Sequence, residues 1–215
     1  MQNTSSNALI KAGIVAGPLL MGVALIQAFT RDGFDPVRHP MSLLSLGDLG
    51  WIQIADFVIS GLLLIGASVS LKRSMKGPGS VWAPRMILLY GLALIVGGVF
   101  TADAGLGFPP GAPPGAPEKM SAHGMIHAFA PIIGFLAVTV FFGIVGRRHF
   151  IARRHTLAWL TLAIAVVSFV LANVPNVTAD WEAGVFNFVP LWIGGTLAFC
   201  YVSVLLAVLK KEINR

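Results

Sequence analysis

Charge is scarce in this sequence. Only 11% of its 215 residues are Asp, Glu, Lys or Arg, where a soluble domain carries about 25%. A deficit of that size excludes an ordinary water-soluble domain. With 56% hydrophobic residues and a mean hydropathy of +0.81, it indicates a polytopic helical membrane protein. Cysteine is almost absent. Cys200 stands alone in the last apolar run, so an intrachain disulfide and a multi-cysteine metal site are both excluded. No P-loop, dinucleotide fingerprint or kinase-like signature occurs. No polar segment is long enough for a soluble catalytic domain, so any chemistry belongs within or beside the helices. The net charge of +6 does not point to nucleic acid, because no basic stripe or stacking array accompanies it.

Long apolar runs are what the chain has. A membrane-spanning helix needs about 20 mostly apolar residues. Six segments meet that length: 8–29, 51–71, 82–100, 123–145, 157–174 and 188–209. The expected architecture is all-α, one compact membrane domain of six helices over residues 1–215. Lys11 precedes most of the first run in the manner of a signal peptide, but the run is long, it lacks a clear small-x-small cleavage site and further spans follow. It is expected to be a retained helix.

The basic residues orient the bundle. Twelve Lys and Arg lie on the side that holds the N-terminus with Lys11, "LKRSMK" with Arg85 just inside the third span, "GRRHFIARRH" and "LKKEINR". The other side holds only Arg31, Arg38 and Lys119. The positive-inside rule therefore places both termini in the cytoplasm. The acids sort the opposite way: eight face outward and Glu212 alone faces inward. The short basic loops suit contact with anionic lipid. His149 and His155, within "RRHFIARRH", read as part of that solvated positive surface.

Three outer loops follow from this topology. The first, "TRDGFDPVRHPMSLLSLGDLG", mixes prolines, glycines and paired charges. It suits a structured lid, with Arg31, Asp35 and Arg38 as a candidate ligand rim and His39 descending toward the bundle. The second contains "PPGAPPGAP", which favours an extended, stiff spacer that leaves Asp103 and His123 near each other. The third carries Asp180, Trp181 and Glu182.

"SAHGMIH" opens the fourth span at the outer side. His123 and His127 stand four residues apart and share one helical face. A helix N-terminus disfavours imidazolium, and neutral imidazole is the form that binds metal or accepts a proton. Asp103 follows the third span, and Asp56 lies inside the second. An ionisable group at that depth ordinarily faces the bundle interior. His123, His127, Asp103 and His39 are thus candidate ligands for zinc or another divalent metal. Asp56, Asp103 and His127 are candidate catalytic groups. A zinc-bound water could attack a lipid ester, amide or phosphodiester, with Ser42 or Ser121 donating to the oxyanion. Plain hydrogen-bonding histidines and an interhelical lock at Asp56 fit the same residues. A ligand-binding pocket, a zinc-dependent lipid hydrolase, a small transporter and a structural or partner-binding protein all stay open. Membrane lipids are the expected surroundings, and no nucleic acid is expected.

The stretch "DPVRHPMSLLSLGDLGWIQIADFVISG", with "GGVFTAD" followed by "HGMIHAFA", resembles the prokaryotic multi-pass membrane proteins grouped as domain-of-unknown-function family 998. The resemblance covers nearly all six spans. It implies a compact six-helix protein of a bacterial or archaeal plasma membrane, and it implies no particular activity or catalytic residue. Threonine and alanine before Asp103, and the proline-rich insertion after it, depart from the family pattern.

Overall fold

The structure is a computed structural model that describes residues 4–117, 119–179 and 185–214. It contains six long helices: α1 (Thr4–Thr30), α2 (Gly50–Ser74), α3 (Trp82–Val99), α4 (Ala122–Ile151), α5 (His155–Thr178) and α6 (Val189–Ile213). A five-residue 3-10 turn at Met41–Ser45 lies in the first outer loop. All six helices are long and apolar enough to cross a membrane. No strand forms among the described residues, only an isolated bridge between Gly105 and Phe108.

Contacts at both ends set neighbouring helices antiparallel, as in α1 and α2, where Ser6 meets Ser70 and Gln27 meets Gln53. Each helix packs on the next in chain order, and α6 returns to α1. The result is a closed ring. Small residues set its tightest crossings. A Cβ at Gly61 would lie 2.6 Å from the Gly91 carbonyl oxygen, and one at Gly91 would lie 2.7 Å from that of Gly61. At the α1–α6 crossing a Cβ on Gly17 would overlap the Phe199 carbonyl, and the Gly17 N–H donates to Ser203 Oγ at 3.2 Å. Such close approach is how helices bind one another where lipid removes the hydrophobic incentive.

Helix ends differ from the expected spans at one informative place. The fourth apolar run stops near 145, but α4 continues to Ile151. Its last turns carry Arg148 and His149 into a packed cluster. Arg148 pairs with Glu212 at 2.9 Å, Arg154 pairs with the same carboxylate, and His149 Nε2 lies 3.7 Å from it. His149 is fully buried, which corrects its reading as solvated surface. His155 is exposed as expected.

The outer loops are folded rather than strung between helices. Arg31 Nη1 donates to the Leu44 carbonyl at 2.9 Å and Nη2 to that of Leu46 at 2.6 Å. This fork folds the first loop inward and buries Leu43 and Leu44. The proline-rich loop also turns back on itself. The Leu106 N–H donates to Gly115 O and the Gly107 N–H to Pro113 O, both at 2.7 Å. The extended spacer expected from its prolines is therefore not formed, because these backbone bonds and the burial of Phe108 favour a compact turn. Asp180, Trp181, Glu182 and Glu118 lie outside the described residues.

Candidate functional site

The outer half of the ring holds a cavity of about 260 Å³ between α3, α4 and α6. Its origin is compositional. Ala93 and Gly97 on α3, Ala130 and Gly134 on α4, and Gly195 on α6 all line it. Little side-chain volume is therefore offered from three helices. Tyr90 and Phe199 form an aromatic wall, stacked with ring centroids 5.8 Å apart. Pro40, Met41 and Ser42 of the first loop line the outer side, together with Trp192.

His39 builds the lid above the cavity. Its Nδ1 accepts from the Asp35 N–H at 2.9 Å, so its proton sits on Nε2, which donates to the Leu106 carbonyl at 2.9 Å. The His39 carbonyl accepts from Trp192 Nε1 at 3.0 Å. Phe34 packs against His39, Phe108 and Trp192 with centroids 5.1, 5.2 and 6.2 Å away. One residue thus ties the first loop to the second loop and to α6. Both ring nitrogens are used in doing so.

Asp35 and Arg31 serve the same lid. The Asp35 carboxylate accepts from the Val37 N–H at 2.9 Å, and Arg31 also lies 5.4 Å from the Phe108 ring centroid. Burial beneath the loop pulls the Arg31 guanidinium below its ordinary value, while Asp48 opposes that shift. Of the three rim candidates, only Arg38 stays exposed.

His127 sits at the cavity and has a different pattern. Its Nδ1 lies 3.0 Å from the Gly97 carbonyl oxygen and 2.8 Å from that of Phe100. Both are carbonyls at the C-terminus of α3, where the helix lacks its own donors. Nδ1 must therefore carry a proton. In the neutral ring Nε2 is then an acceptor, and it has no hydrogen-bond partner among the described residues. His127 is the imidazole that lines the cavity.

Asp103 caps the start of α4. It accepts from the Ser121 N–H at 2.8 Å, and Ser121 Oγ in turn accepts from the Gly124 N–H at 2.9 Å. The hydrogen bonds from Ser121 hold the Asp103 carboxyl below the usual range, assisted by nearby His123 and His127. A Cβ at Gly124 would collide with this carboxylate. His123 rests its ring beside Phe100, with centroids 5.2 Å apart.

Asp56 belongs elsewhere. It is buried on α2 but does not line the cavity. Gln27 Nε2 donates to Gln53 Oε1 at 2.8 Å, and Gln53 Nε2 approaches Asp56 Oδ2 at 3.4 Å. The three residues form a polar lock between α1 and α2. Asp56 Oδ1 is buried without a partner among the described residues.

The sequence candidates therefore separate into a lid (His39, Arg31, Asp35), a helix cap (Asp103), a cavity acceptor (His127) and an interhelical lock (Asp56). Among the described residues no three His, Cys, Asp or Glu side chains are placed to hold one metal ion. His39, Asp103, His123 and His127 therefore supply no such group of three. Each side chain except His123 is already engaged by the backbone bonds described above. Tyr90, Phe199 and Trp192 are the site residues that the sequence reasoning missed. A signal existed for Tyr90, one of two tyrosines in the chain and placed in mid-span.

Fold and site together define a multi-pass membrane protein with a closed six-helix ring and an apolar cavity under an outer lid. The chain belongs to the family described as protein of unknown function DUF998, whose model matches residues 14–209. No curated protein and no solved structure matches the chain.

Proposed function

We propose that the outer cavity binds a lipid-like amphiphile drawn from the outer half of the membrane. The observation that carries this reading is the imidazole of His127, whose Nδ1 is committed to α3 carbonyls and whose Nε2 acceptor is left at a largely apolar cavity. Ser42 and the Tyr90 hydroxyl, unpartnered among the described residues, also line it. Ligand sites commonly combine apolar walls with a few placed polar groups. Here the walls take the apolar part, and a ligand hydroxyl or N–H donates to Nε2. At about 260 Å³ the space lies just below the range of about 300–1,000 Å³ for small-molecule pockets. It suits a single chain or a small ring system, not a whole two-chain lipid.

The route to the cavity is lateral. Pro131 on α4 both lines the cavity and is exposed. On the same outer half, Phe129, Ile132 and Leu136 are 64%, 62% and 58% exposed. At the cytoplasmic end α4 packs on α5 through Gly146 against Leu162 and Phe150 against Trp159 at 5.1 Å. The outer half of α4 thus presents apolar residues to lipid beside the cavity.

The test is binding of a medium-chain fatty alcohol and of the matched alkane to the purified protein. Gly134→Leu is expected to weaken both, because it fills the space. His127→Leu is expected to weaken the alcohol about tenfold, the value of one hydrogen bond of about 1–1.5 kcal/mol, and to leave the alkane unchanged. Equal binding of both probes to all three proteins would contradict the proposal.

A further inference from the structure

A second cavity, about 460 Å³, opens at the opposite end of the ring among the ends of α1, α2, α4 and α6. It shares no lining residue with the outer one. Its rim carries Arg73, Lys76, Arg148 and Lys210 against a single acid, Glu212. That acid is already consumed by Arg148 and Arg154. Arg148 is consumed too, since its Nη1 donates to the carbonyls of Lys76 at 2.7 Å and Pro78 at 2.9 Å. It holds in place the backbone that carries Lys76. Arg73, Lys76 and Lys210 are left with no anionic partner among the described residues.

The floor of this cavity is polar and ordered. Ser70 Oγ donates to the Ser6 carbonyl at 2.6 Å, so the Ser6 hydroxyl donates to Ser70 Oγ at 2.9 Å. Ser74 then donates to Ser6 Oγ at 3.0 Å. These hydroxyl protons are all spent. Asn7 also lines the cavity, and its Oδ1 is buried with no partner among the described residues. The cavity therefore lacks an anion to meet three cations and a donor to meet Asn7.

We propose that this cavity is a binding site for a phosphate group that also bears a hydroxyl. The phosphate answers Arg73, Lys76 and Lys210, and the hydroxyl, on phosphorus or on an attached alcohol, donates to Asn7 Oδ1. Sulfate matches the charge but lacks the donor at neutral pH. A hydroxyl-bearing phospholipid headgroup and free phosphate share the required chemistry.

The experiment is thermal melting of the detergent-purified protein at fixed ionic strength. The probes are inorganic phosphate, sulfate, dihexanoyl phosphatidylglycerol below its micelle concentration, and dihexanoyl phosphatidylcholine. Phosphate or phosphatidylglycerol is expected to raise the melting temperature above sulfate and phosphatidylcholine. A shift with phosphatidylglycerol alone assigns a lipid headgroup, and a shift with phosphate as well assigns the free ion. Arg73→Gln with Lys210→Gln is expected to weaken the apparent affinity about tenfold or more, at about 1 kcal/mol per cation, without lowering the unliganded melting temperature. If that pair does not fold, the exposed Lys76→Gln carries the same test with a smaller, about fivefold, loss. No shift with any probe, an equal shift with sulfate, or an undiminished shift in a folded variant would overturn the proposal.

Discussion

His127 does two things with one ring. It satisfies the end of α3 through Nδ1 and offers Nε2 to the cavity. Replacement by Gln keeps a donor and an acceptor, whereas Leu removes both. His127→Leu is expected to destabilise the protein by about 1–3 kcal/mol, the cost of leaving a buried acceptor unpaired, and His127→Gln by less; thermal melts of the two would show the order. Asp103 makes a separate pH prediction. Its folded carboxyl is held below the unfolded value by Ser121, so the unfolded state binds the proton more readily. The stabilisation is complete above the unfolded value of about 4 and is lost as pH falls through the lower folded value. Melting temperature measured from pH 7 to pH 3 is expected to fall less steeply at the acid end in Asp103→Asn. An identical acid slope would remove Asp103 as the cause. Arg31→Lys is expected to loosen the lid by about 1–3 kcal/mol, because an ammonium cannot reproduce the fork to Leu44 and Leu46. Faster amide exchange over 39–46 than in the parent would report it.

At the scale of elements, the crossings made by small residues are the least tolerant features. A Cβ on Gly17 meets the backbone of α6, which cannot rotate away. Gly17→Ala is expected to cost about 1–3 kcal/mol by overpacking. Gly134→Ala is expected to be nearly neutral, since its Cβ would stand at an ordinary 3.4 Å from the Ala93 Cβ. Comparing the two melting temperatures separates a packing glycine from a cavity glycine. The elements themselves were legible in the sequence, because a run of about 20 apolar residues has few alternatives to a spanning helix. The end of α4 was not. Its last turns carry Arg147, Arg148 and His149, which hydropathy alone sets outside the span. They stay helical as Arg148 reaches Glu212 on α6 and the carbonyls of Lys76 and Pro78.

For the whole molecule, a distribution of polarity organises the account. The inner bases of the sequence line a cavity at the cytoplasmic end of the ring, whereas the cavity at the outer end is mostly apolar and no acid lines it. Between them Leu64, Ile87, Phe141 and Leu205 are buried within the hydrophobic core. The candidate site was legible in part. "SAHGMIH" marked the right helix entry, and His127 proved to face a cavity. What spacing alone does not convey is which ring nitrogen is already committed. His39 and His127 look alike in the sequence, yet the lid uses both nitrogens of the first and α3 uses one of the second. Likewise the i and i+4 pair shares a face, but His123 packs on Phe100 while His127 reaches the α3 carbonyls.

The central claim is that an amphiphile enters the outer cavity and meets His127. Photolabelling in lipid bilayers with a diazirine-bearing fatty alcohol, followed by mapping of the modified residues, tests it most directly. The account predicts label concentrated on cavity residues of α3, α4 and α6, such as Tyr90, Phe135 and Phe199, and largely lost in Gly134→Leu. Label spread evenly over the exposed apolar residues of all six helices, and unchanged in Gly134→Leu, would contradict it.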